Sequence, residues 1–322
     1  MKNKLETPDI ETAKMVAASL LGETIVNINR LTTGGKNFVF ALSTTNHSYV
    51  IRMTTKECQN TYLASIYWQN KLLPLGVPLA KFIATDLEGR FSSFPTLLMQ
   101  RIPGDDLCNV YKNLSIATKQ GLAQQIVSIH TKTAALPLGS SYGFANSYEQ
   151  TTKYKSWYDF LLARLDLCRE SLKKTTAFIP DTMTKILDIA YALKSDLLLI
   201  MPRAFMWDTS ERNVIIDHDK ISAIVDVDDM CFGDPLFVLG LTYSALEANS
   251  CDTIYPDAWS SLLSLDHKSQ IRLQFYRLFY IVWFMRHYAD IISDNGTSYN
   301  LDARVLNNMF QQALSRLTAL QS

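Results

Sequence analysis

The sequence predicts an α+β protein with two lobes, a small N-terminal lobe with an antiparallel β-sheet and a larger, mainly helical C-terminal lobe. Three observations lead to this prediction. Residues 23–53 alternate between apolar segments and polar turns, as an antiparallel meander does. Most segments beyond residue 103 have helical periodicity instead. Between the two regions lies Ile102-Pro103-Gly104, and proline and glycine interrupt regular structure.

The N-terminal lobe is predicted to contain five strands and one helix. The strands are short apolar segments bounded by turn residues, and they cover residues 23–31, 38–42, 49–53, 82–86 and 96–100. A helix is predicted at residues 60–73, and it ends at Pro74 because proline cannot continue a helix. We assign residues 1–102, including the hinge, to this lobe.

The C-terminal lobe, residues 103–322, is predicted to be helical apart from one β-hairpin. The predicted helices cover residues 119–130, 155–173, 180–201 and 269–292. The hairpin covers residues 213–226, where two apolar strands flank a polar turn.

Composition argues against several classes of partner. Apolar residues make up 48% of the chain, and 31 basic residues balance 31 acidic ones, so we expect a globular protein with no nucleic-acid partner. The apolar segment 278–285 is too short to span a bilayer, and we expect no membrane partner.

The cysteines and the first residues of the sequence bear on localisation. The five cysteines are scattered and form no CxxC pair, which argues against a disulfide framework or a zinc site. The first residues contain no apolar signal-peptide core. We therefore expect a cytoplasmic protein with reduced thiols.

Three polar residues surround the predicted hairpin. Asp208 precedes it, Asn213 begins its first strand and Asp226 follows its second. If the turn is centred between Asp219 and Lys220, Asn213 faces Asp226 with Cβ atoms roughly 5 Å apart, so that one cation can contact both. Mg²⁺ prefers such sparse oxygen ligation, and Asp208 is then a candidate base for phosphoryl transfer. The alternative is that these residues are ordinary turn and loop residues.

The motifs around this hairpin resemble those of the aminoglycoside phosphotransferase and choline kinase-type family, small-molecule kinases of the protein-kinase-like fold. That family carries His-Gly-Asp-x-x-x-x-Asn, then two strands, Ile-Asp-Trp-Glu and Gly-Asp-Pro. The corresponding residues here are Met206-Trp207-Asp208 with Asn213, then Val225-Asp226-Val227-Asp228 and Gly233-Asp234-Pro235. The resemblance covers most of the chain and implies the same two-lobed fold.

The resemblance implies a role for each matching residue of the C-terminal lobe. Asp208 is the catalytic residue, which orients or deprotonates the acceptor hydroxyl. Asn213 and Asp226 hold Mg²⁺, and Asp228 is close enough to be a secondary ligand. Asp234 supports the catalytic loop through hydrogen bonds.

It also implies a nucleotide site in the N-terminal lobe. Gly34 and Gly35 cover the phosphates, because glycine lets backbone amides approach anions closely. Arg52 stands where the family has a phosphate-binding lysine, although a position facing water on an edge strand is the alternative. The backbone of Gln100 and Ile102 contacts the base.

These assignments predict a Mg²⁺-dependent phosphotransferase that moves the γ-phosphoryl group of ATP or GTP to a hydroxyl of a small molecule, aminoglycoside-, choline- or sugar-like. Three departures from the family stand against it: Arg52 itself, the absence of an acidic residue in the helix at 60–73, and Met206-Trp207 in place of His-Gly. They favour the alternative of a catalytically silent binding or scaffold protein. Transfer of a nucleotidyl group is a third alternative.

Overall fold

An antiparallel sheet of five strands forms the core of the N-lobe, our name for the part of the chain before the hinge at residues 100–104. The computed structural model describes residues 7–31, 37–150, 152–228, 230–293 and 302–321. The strands are β1 (Asn27–Leu31), β2 (Phe38–Ser43), β3 (Ser48–Met53), β4 (Phe82–Asp86) and β5 (Thr96–Gln100). Their order is β1-β2-β3-β5-β4, and every neighbouring pair is antiparallel. The predicted antiparallel sheet is confirmed.

Two helices pack against this sheet. The sequence analysis did not predict α1 (Ile10–Leu21), although its ends carry clear signals. Asp9 accepts a hydrogen bond from the Thr12 amide (2.7 Å), and Gly22 ends the helix in the left-handed region at φ 66°. The predicted helix α2 (Gln59–Leu72) begins and ends within one residue of expectation.

The C-lobe, which follows the hinge, is mainly helical. Its helices are α3 (Leu107–Val110), α4 (Ile116–Thr133), α5 (Trp157–Leu172), α6 (Thr182–Ala192), α7 (Lys194–Leu198), α8 (Leu236–Ala248), α9 (Ile254–Leu262), α10 (His267–Ser293) and α11 (Ala303–Gln321). The predicted helix at 180–201 is therefore two helices, which meet at Leu193. None of the helices in the described residues is long and apolar enough to cross a membrane.

Two sheets of three short strands lie in the C-lobe. Their strands are β6 (Asp105–Asp106), β7 (Gly143–Ala145), β8 (Arg203–Met206), β9 (Val214–Asp217), β10 (Lys220–Ile224) and β11 (Met230–Gly233). One sheet has the order β10-β9-β6 and the other β7-β11-β8. Only the β9–β10 hairpin was predicted; the other strands are two to four residues long and have too little alternation to be recognised.

The register of the hairpin differs from the prediction. Asp217 pairs with Lys220, so the turn is centred on His218 and Asp219, and His218 takes a positive φ of 53°. A bulge between Ile221 and Ala223 shifts the register again. Asn213 therefore lies opposite Val225, whose amide donates to the Asn213 carbonyl (2.9 Å), and Asp226 follows one residue later.

The two lobes contact each other through α2 and at the hinge. Trp68 of α2 is fully buried in the same apolar cluster as the C-lobe core, and its indole nitrogen donates to the Ala145 carbonyl (2.9 Å). At the hinge, Gly104 has φ 117° and passes so close to the Ile216 carbonyl that a Cβ would lie 2.2 Å from the oxygen. Glycine is required there because no other residue fits either constraint.

Candidate active site

A cleft of about 370 Å³ separates the N-lobe from the C-lobe. Val39, Val50 and Met99 line it from the N-lobe, and Ile215 and Ile224 line it from the C-lobe. Its polar residues include Arg52, Gln100, Asn213, Asp226 and Asp228. An apolar pocket with polar groups at one end suits a planar base with an attached phosphate chain.

Asp208 lies in the loop that joins β8 to β9, which we call loop 207–213. Its Oδ1 accepts a hydrogen bond from the Ser210 hydroxyl (2.7 Å). Its carbonyl accepts one from the Asn213 side-chain amide (3.0 Å). Burial raises the pKa of Asp208, and the hydrogen bonds from Ser210 oppose that rise. The hydrogen bonds fix the position of Asp208, and burial makes its carboxylate more basic. Both properties suit a group that accepts a proton.

Buried polar residues hold loop 207–213 in place from the interior of the C-lobe. The Thr209 hydroxyl lies 2.9 Å from His130 Nε2 of α4, and the imidazole stacks on Trp259. Burial lowers the pKa of His130 to about 4, so this histidine is neutral. The sequence analysis did not predict that His130, or Glu211 described next, supports this loop, because neither residue belongs to a motif with a distinctive spacing.

Glu211 is the second buried support. Its carbonyl accepts the Cys108 amide (2.8 Å), and its Oε1 accepts the Asn249 side-chain amide (3.2 Å). The side chain is 1% exposed, and burial raises its pKa to about 7. A buried carboxyl of this kind is most stable in its protonated form.

Asp226 lies in loop 225–228, which joins β10 to β11. It takes a positive φ of 58°, a backbone conformation that is uncommon for a residue with a side chain. Its carboxylate is half exposed and lines the cleft together with Asn213. The structure thus brings two of the predicted metal ligands, Asn213 and Asp226, to one side of the cleft.

Arg52 connects β3 to loop 225–228 across the cleft. Its Nη2 donates to Asp226 Oδ1 (2.8 Å) and to Asp228 Oδ2 (2.7 Å), and its Nη1 donates to Asp228 Oδ1 (3.1 Å). Ser65 of α2 donates its hydroxyl to Asp228 as well. Arg52 is therefore a buried residue with two carboxylate partners, and it does not face water on an edge strand.

The electrostatics of this cluster follow from burial and pairing. Burial acts to lower the pKa of Arg52, but the carboxylates of Asp228 and Asp226 outweigh it and the pKa is raised. Burial acts to raise the pKa of Asp228, but Arg52 and the hydroxyl of Ser65 hold it below its usual value. For Asp226, burial and the neighbouring Asp228 outweigh Arg52 and raise the pKa. Arg52 and Asp228 thus form the strongly charged pair.

Ser65 is the residue that the sequence analysis missed altogether. It lies on the helix in which no acidic partner for Arg52 was found, and it is 3% exposed. A lone serine on an amphipathic helix gives no signal in the sequence. The carboxylate partner of Arg52 comes instead from Asp228, 176 residues away along the chain.

The donor set suits Mg²⁺. The Asn213 amide nitrogen is committed to the Asp208 carbonyl, which leaves its Oδ1 as a possible ligand, and Asp226 offers a half-exposed carboxylate. In the described residues no group of three or more His, Cys, Asp or Glu side chains could hold a metal alone. A cation here requires further oxygens, such as those of phosphates, which is the coordination that Mg²⁺ prefers.

The predicted nucleotide residues are partly described. Gln100 and Ile102 line the cleft at the hinge, and the Gln100 amide donates to the Lys81 carbonyl (2.9 Å), so its own carbonyl is the group left for a base. Gly34 and Gly35 lie outside the described residues.

Asp234 lies at the start of α8, away from the cleft. Its Oδ1 accepts the Leu236 amide (3.1 Å), and its Oδ2 accepts the Tyr276 hydroxyl (2.8 Å) and Arg272 Nε (3.1 Å), both from α10. These bonds fix α8 against α10. Its hydrogen bonds in the described residues thus run to these two helices, whereas the sequence analysis expected bonds to the catalytic loop.

Comparison with solved structures shows the same fold. The apo crystal structure of a thermostable mutant of aminoglycoside phosphotransferase APH(4)-Ia has a TM-score of 0.69 and 17% identity, covering 95% of this chain and 97% of that chain. Its ternary complex with ADP and hygromycin B gives 0.69 and 16%, covering 96% and 97%. The GDP complex of a mutant aminoglycoside 2'-phosphotransferase-IIIa gives 0.68 and 12%, covering 98% and 97%.

The sequence itself identifies the family. No curated protein matches it significantly. The model of the phosphotransferase enzyme family matches residues 27–268, which include the cleft, loop 207–213 and loop 225–228. The chain belongs to the phosphotransferase enzyme family.

Proposed function

We propose that the protein is a Mg²⁺-dependent kinase that transfers the γ-phosphoryl group of ATP or GTP to a hydroxyl of a small molecule. One observation carries the proposal: the Asn213 side chain donates a hydrogen bond to the Asp208 carbonyl, and the Asn213 carbonyl accepts one from Val225, the residue before Asp226. A candidate base and two candidate metal ligands are thereby held together, and the two ligands line the cleft between the lobes. The solved structures that share the fold include complexes with ADP and GDP.

Each residue has a distinct part in the proposed reaction. Asp208 accepts the proton of the acceptor hydroxyl or orients that hydroxyl toward the phosphate, while the Ser210 hydroxyl holds Oδ1 of its carboxylate in place. Asn213 and Asp226 hold Mg²⁺, which when bound neutralises charge on the phosphates. Gln100 and Ile102 contact the base, and Gly34 and Gly35 cover the phosphates.

Arg52 and Asp228 have linked parts. A guanidinium has five N–H donors, and three of those of Arg52 go to Asp226 and Asp228, so two remain for a phosphate. Both oxygens of Asp228 accept from Arg52. We therefore assign Asp228 to the positioning of Arg52, in place of the secondary metal ligand that the resemblance implies.

The silent scaffold remains the second candidate, and one contact favours it. Arg52 donates to Asp226, the residue that must also bind metal. If this pair does not separate, only Asp226 Oδ2 is left for Mg²⁺ and the nearby guanidinium repels the cation, so that the protein binds nucleotide with little magnesium dependence. The candidate base Asp208 and the candidate metal ligands Asn213 and Asp226 favour the kinase.

We also propose a cytoplasmic localisation, with which the five cysteines, free in the described residues, are consistent.

Transfer of phosphate from ATP or GTP to pooled hydroxyl compounds tests the proposal. The wild-type protein should release ADP or GDP only with Mg²⁺ present. Asp208→Ala should lower turnover by about 10²- to 10⁴-fold, the usual contribution of a general base. Asp217→Ala, in the exposed hairpin turn, is the matched control and should retain activity. Equal turnover by Asp208→Ala and the wild type would refute the assigned base.

A further inference from the structure

An aromatic and cationic surface begins beside Asp208 and runs between α5 and α10. The ring of Trp207 contacts Phe144 (centroids 4.8 Å apart) and stacks on Tyr280 (6.4 Å). Trp283 lies one turn beyond Tyr280 on α10. We call Phe144, Trp207, Tyr280 and Trp283 the aromatic surface; Phe144 and Trp207 are partly exposed and form its accessible part, whereas Tyr280 and Trp283 are buried.

Two arginines lie against the same part of this surface. The guanidinium carbon of Arg164 on α5 is 5.2 Å from the Phe144 ring centroid and 4.3 Å from that of Trp283. The guanidinium carbon of Arg286 on α10 is 4.5 Å from the Trp283 centroid. Two cations thus share one indole ring and repel each other, while the ring attracts both.

Arg164 has no carboxylate partner among the described residues. Within the same part of the chain, Arg286 forms one ion pair, with Asp290, at 3.4 Å. By contrast, the buried Arg52 and Arg277 and the partly buried Arg272 each pair with a carboxylate. Burial and the neighbouring Arg286 lower the pKa of Arg164, which shows how poorly this cation is compensated. A half-buried, uncompensated cation next to a second one is costly unless a ligand supplies negative charge.

The surface is also close to the candidate base. Trp207, the residue next to Asp208 in the chain, stacks on Tyr280 and contacts Phe144. Arg164 lies over the other neighbour of that ring, Phe144. The arginine pair is therefore connected to the loop of Asp208 through one aromatic residue.

We propose that Arg164 and Arg286 bind an anionic group, a carboxylate or a phosphate, of the hydroxyl-bearing acceptor. The inference rests on the proposed kinase function and narrows its acceptor to an anion. Guanidinium groups bind such anions through paired, charge-assisted hydrogen bonds. The same two cations repel an amino sugar, so the preferred acceptor differs in charge from the aminoglycosides hygromycin B and kanamycin in the related solved structures.

Acceptors matched in size but opposite in charge test the inference. ADP release is measured with gluconate against glucamine, glucuronate against glucosamine, and glycerate against 3-amino-1,2-propanediol; glycerol phosphate then separates a phosphate preference from a carboxylate one. We expect turnover with the acids. Arg164→Gln and Arg286→Gln should each raise KM for the preferred acid by about 10- to 100-fold, the value of a charge-assisted hydrogen bond. Arg169→Gln, on the exposed side of α5, is the control.

Further variants separate recognition from folding. Arg164→Lys keeps the charge and should retain the preference for acids, whereas Arg164→Glu should shift it toward the amines. A structural role of Arg164 would lower thermal stability without moving this preference. Turnover with the amines, turnover with neither set, or a KM unchanged in both glutamine variants would overturn the inference. Failure of the kinase function itself is distinguishable by nucleotide titration of the wild type, because nucleotide binding would then be absent or independent of Mg²⁺.

Discussion

The pairing of Arg52 predicts that two neighbouring aspartates contribute differently to stability. Asp228 makes two hydrogen bonds with Arg52 and one with Ser65, and its side chain is 12% exposed. Asp226 makes one hydrogen bond with the same arginine and is 52% exposed. Removal of Asp228 therefore leaves a buried guanidinium without its main partner, whereas removal of Asp226 opens a largely solvated contact.

The expected free energies follow from these contacts. Asp228→Ala should lower the free energy of unfolding by about 3 kcal/mol, since the loss of one partner of a buried pair leaves an uncompensated charge. Asp226→Ala should cost about 1 kcal/mol or less, the range of an exposed pair. Arg52→Met combined with Asp228→Leu should cost less than the two single changes together, by about 2 kcal/mol, because neither charge is then left alone.

Urea unfolding of these five variants, Arg52→Met and Asp228→Leu alone included, is followed by tryptophan fluorescence and by circular dichroism and measures the differences. Coincidence of the two signals is the condition for reading free energies from a protein with two lobes. Ser65→Ala is the matched control that keeps both charges and should have a smaller effect than Asp228→Ala. An equal cost for Asp226→Ala and Asp228→Ala, or additive effects in the double variant, would refute the assignment of Asp228 to Arg52.

The remaining predictions concern loop 207–213 and its supports. Asp208→Ala should leave nucleotide affinity within about twofold of the wild type, because Asp208 acts on the acceptor. A large loss of affinity, measured by calorimetry, would contradict this. His130→Ala should reduce turnover and thermal stability together, since His130 contacts Thr209 and packs on Trp259; a stable but inactive variant would point to a chemical role instead. Burial raises the pKa of Glu211 from 4.5 to about 7. The folded protein therefore binds this proton more tightly than the unfolded chain, so the contribution of Glu211 to stability is greatest below about pH 4.5 and declines as the pH rises to about 7. Glu211→Gln should remove about 3 kcal/mol of that decline between pH 4 and pH 8, as measured by urea unfolding; an unchanged decline, with exposed Glu23→Gln as control, would show that another group causes it.

The sequence predicted the parts of the fold that have strong local patterns. Strands β2, β3 and β5 alternate between polar turns and apolar segments, and α2 ends at a proline and glycine. Short strands such as β7 and β11 carry no such pattern, because they form only by pairing with strands distant along the chain, β7 with β11 and β11 also with β8. Helix α1 was missed although Asp9 and Gly22 mark its ends.

The candidate site shows the same division between local and distant information. Asp208, Asn213 and Asp226 lie within one hairpin and its flanks, so their spacing along the chain predicted their proximity. The exact pairing of the hairpin was wrong because the turn is centred on His218 and Asp219, one residue earlier than predicted, and a bulge between Ile221 and Ala223 then shifts the register by one residue. The contact of Arg52 with Asp228 joins residues 176 positions apart, and only the folded chain shows it.

The central claim is that Asp226, with Asn213, holds the magnesium through which a nucleotide binds. Calorimetric titration of the wild type and of Asp226→Ala with ATP and GTP, each with and without Mg²⁺, tests it most directly. The account predicts that Mg²⁺ strengthens nucleotide binding to the wild type, and that Asp226→Ala binds nucleotide with an affinity independent of Mg²⁺. Nucleotide binding that is absent from the wild type, or equal with and without Mg²⁺, would contradict it.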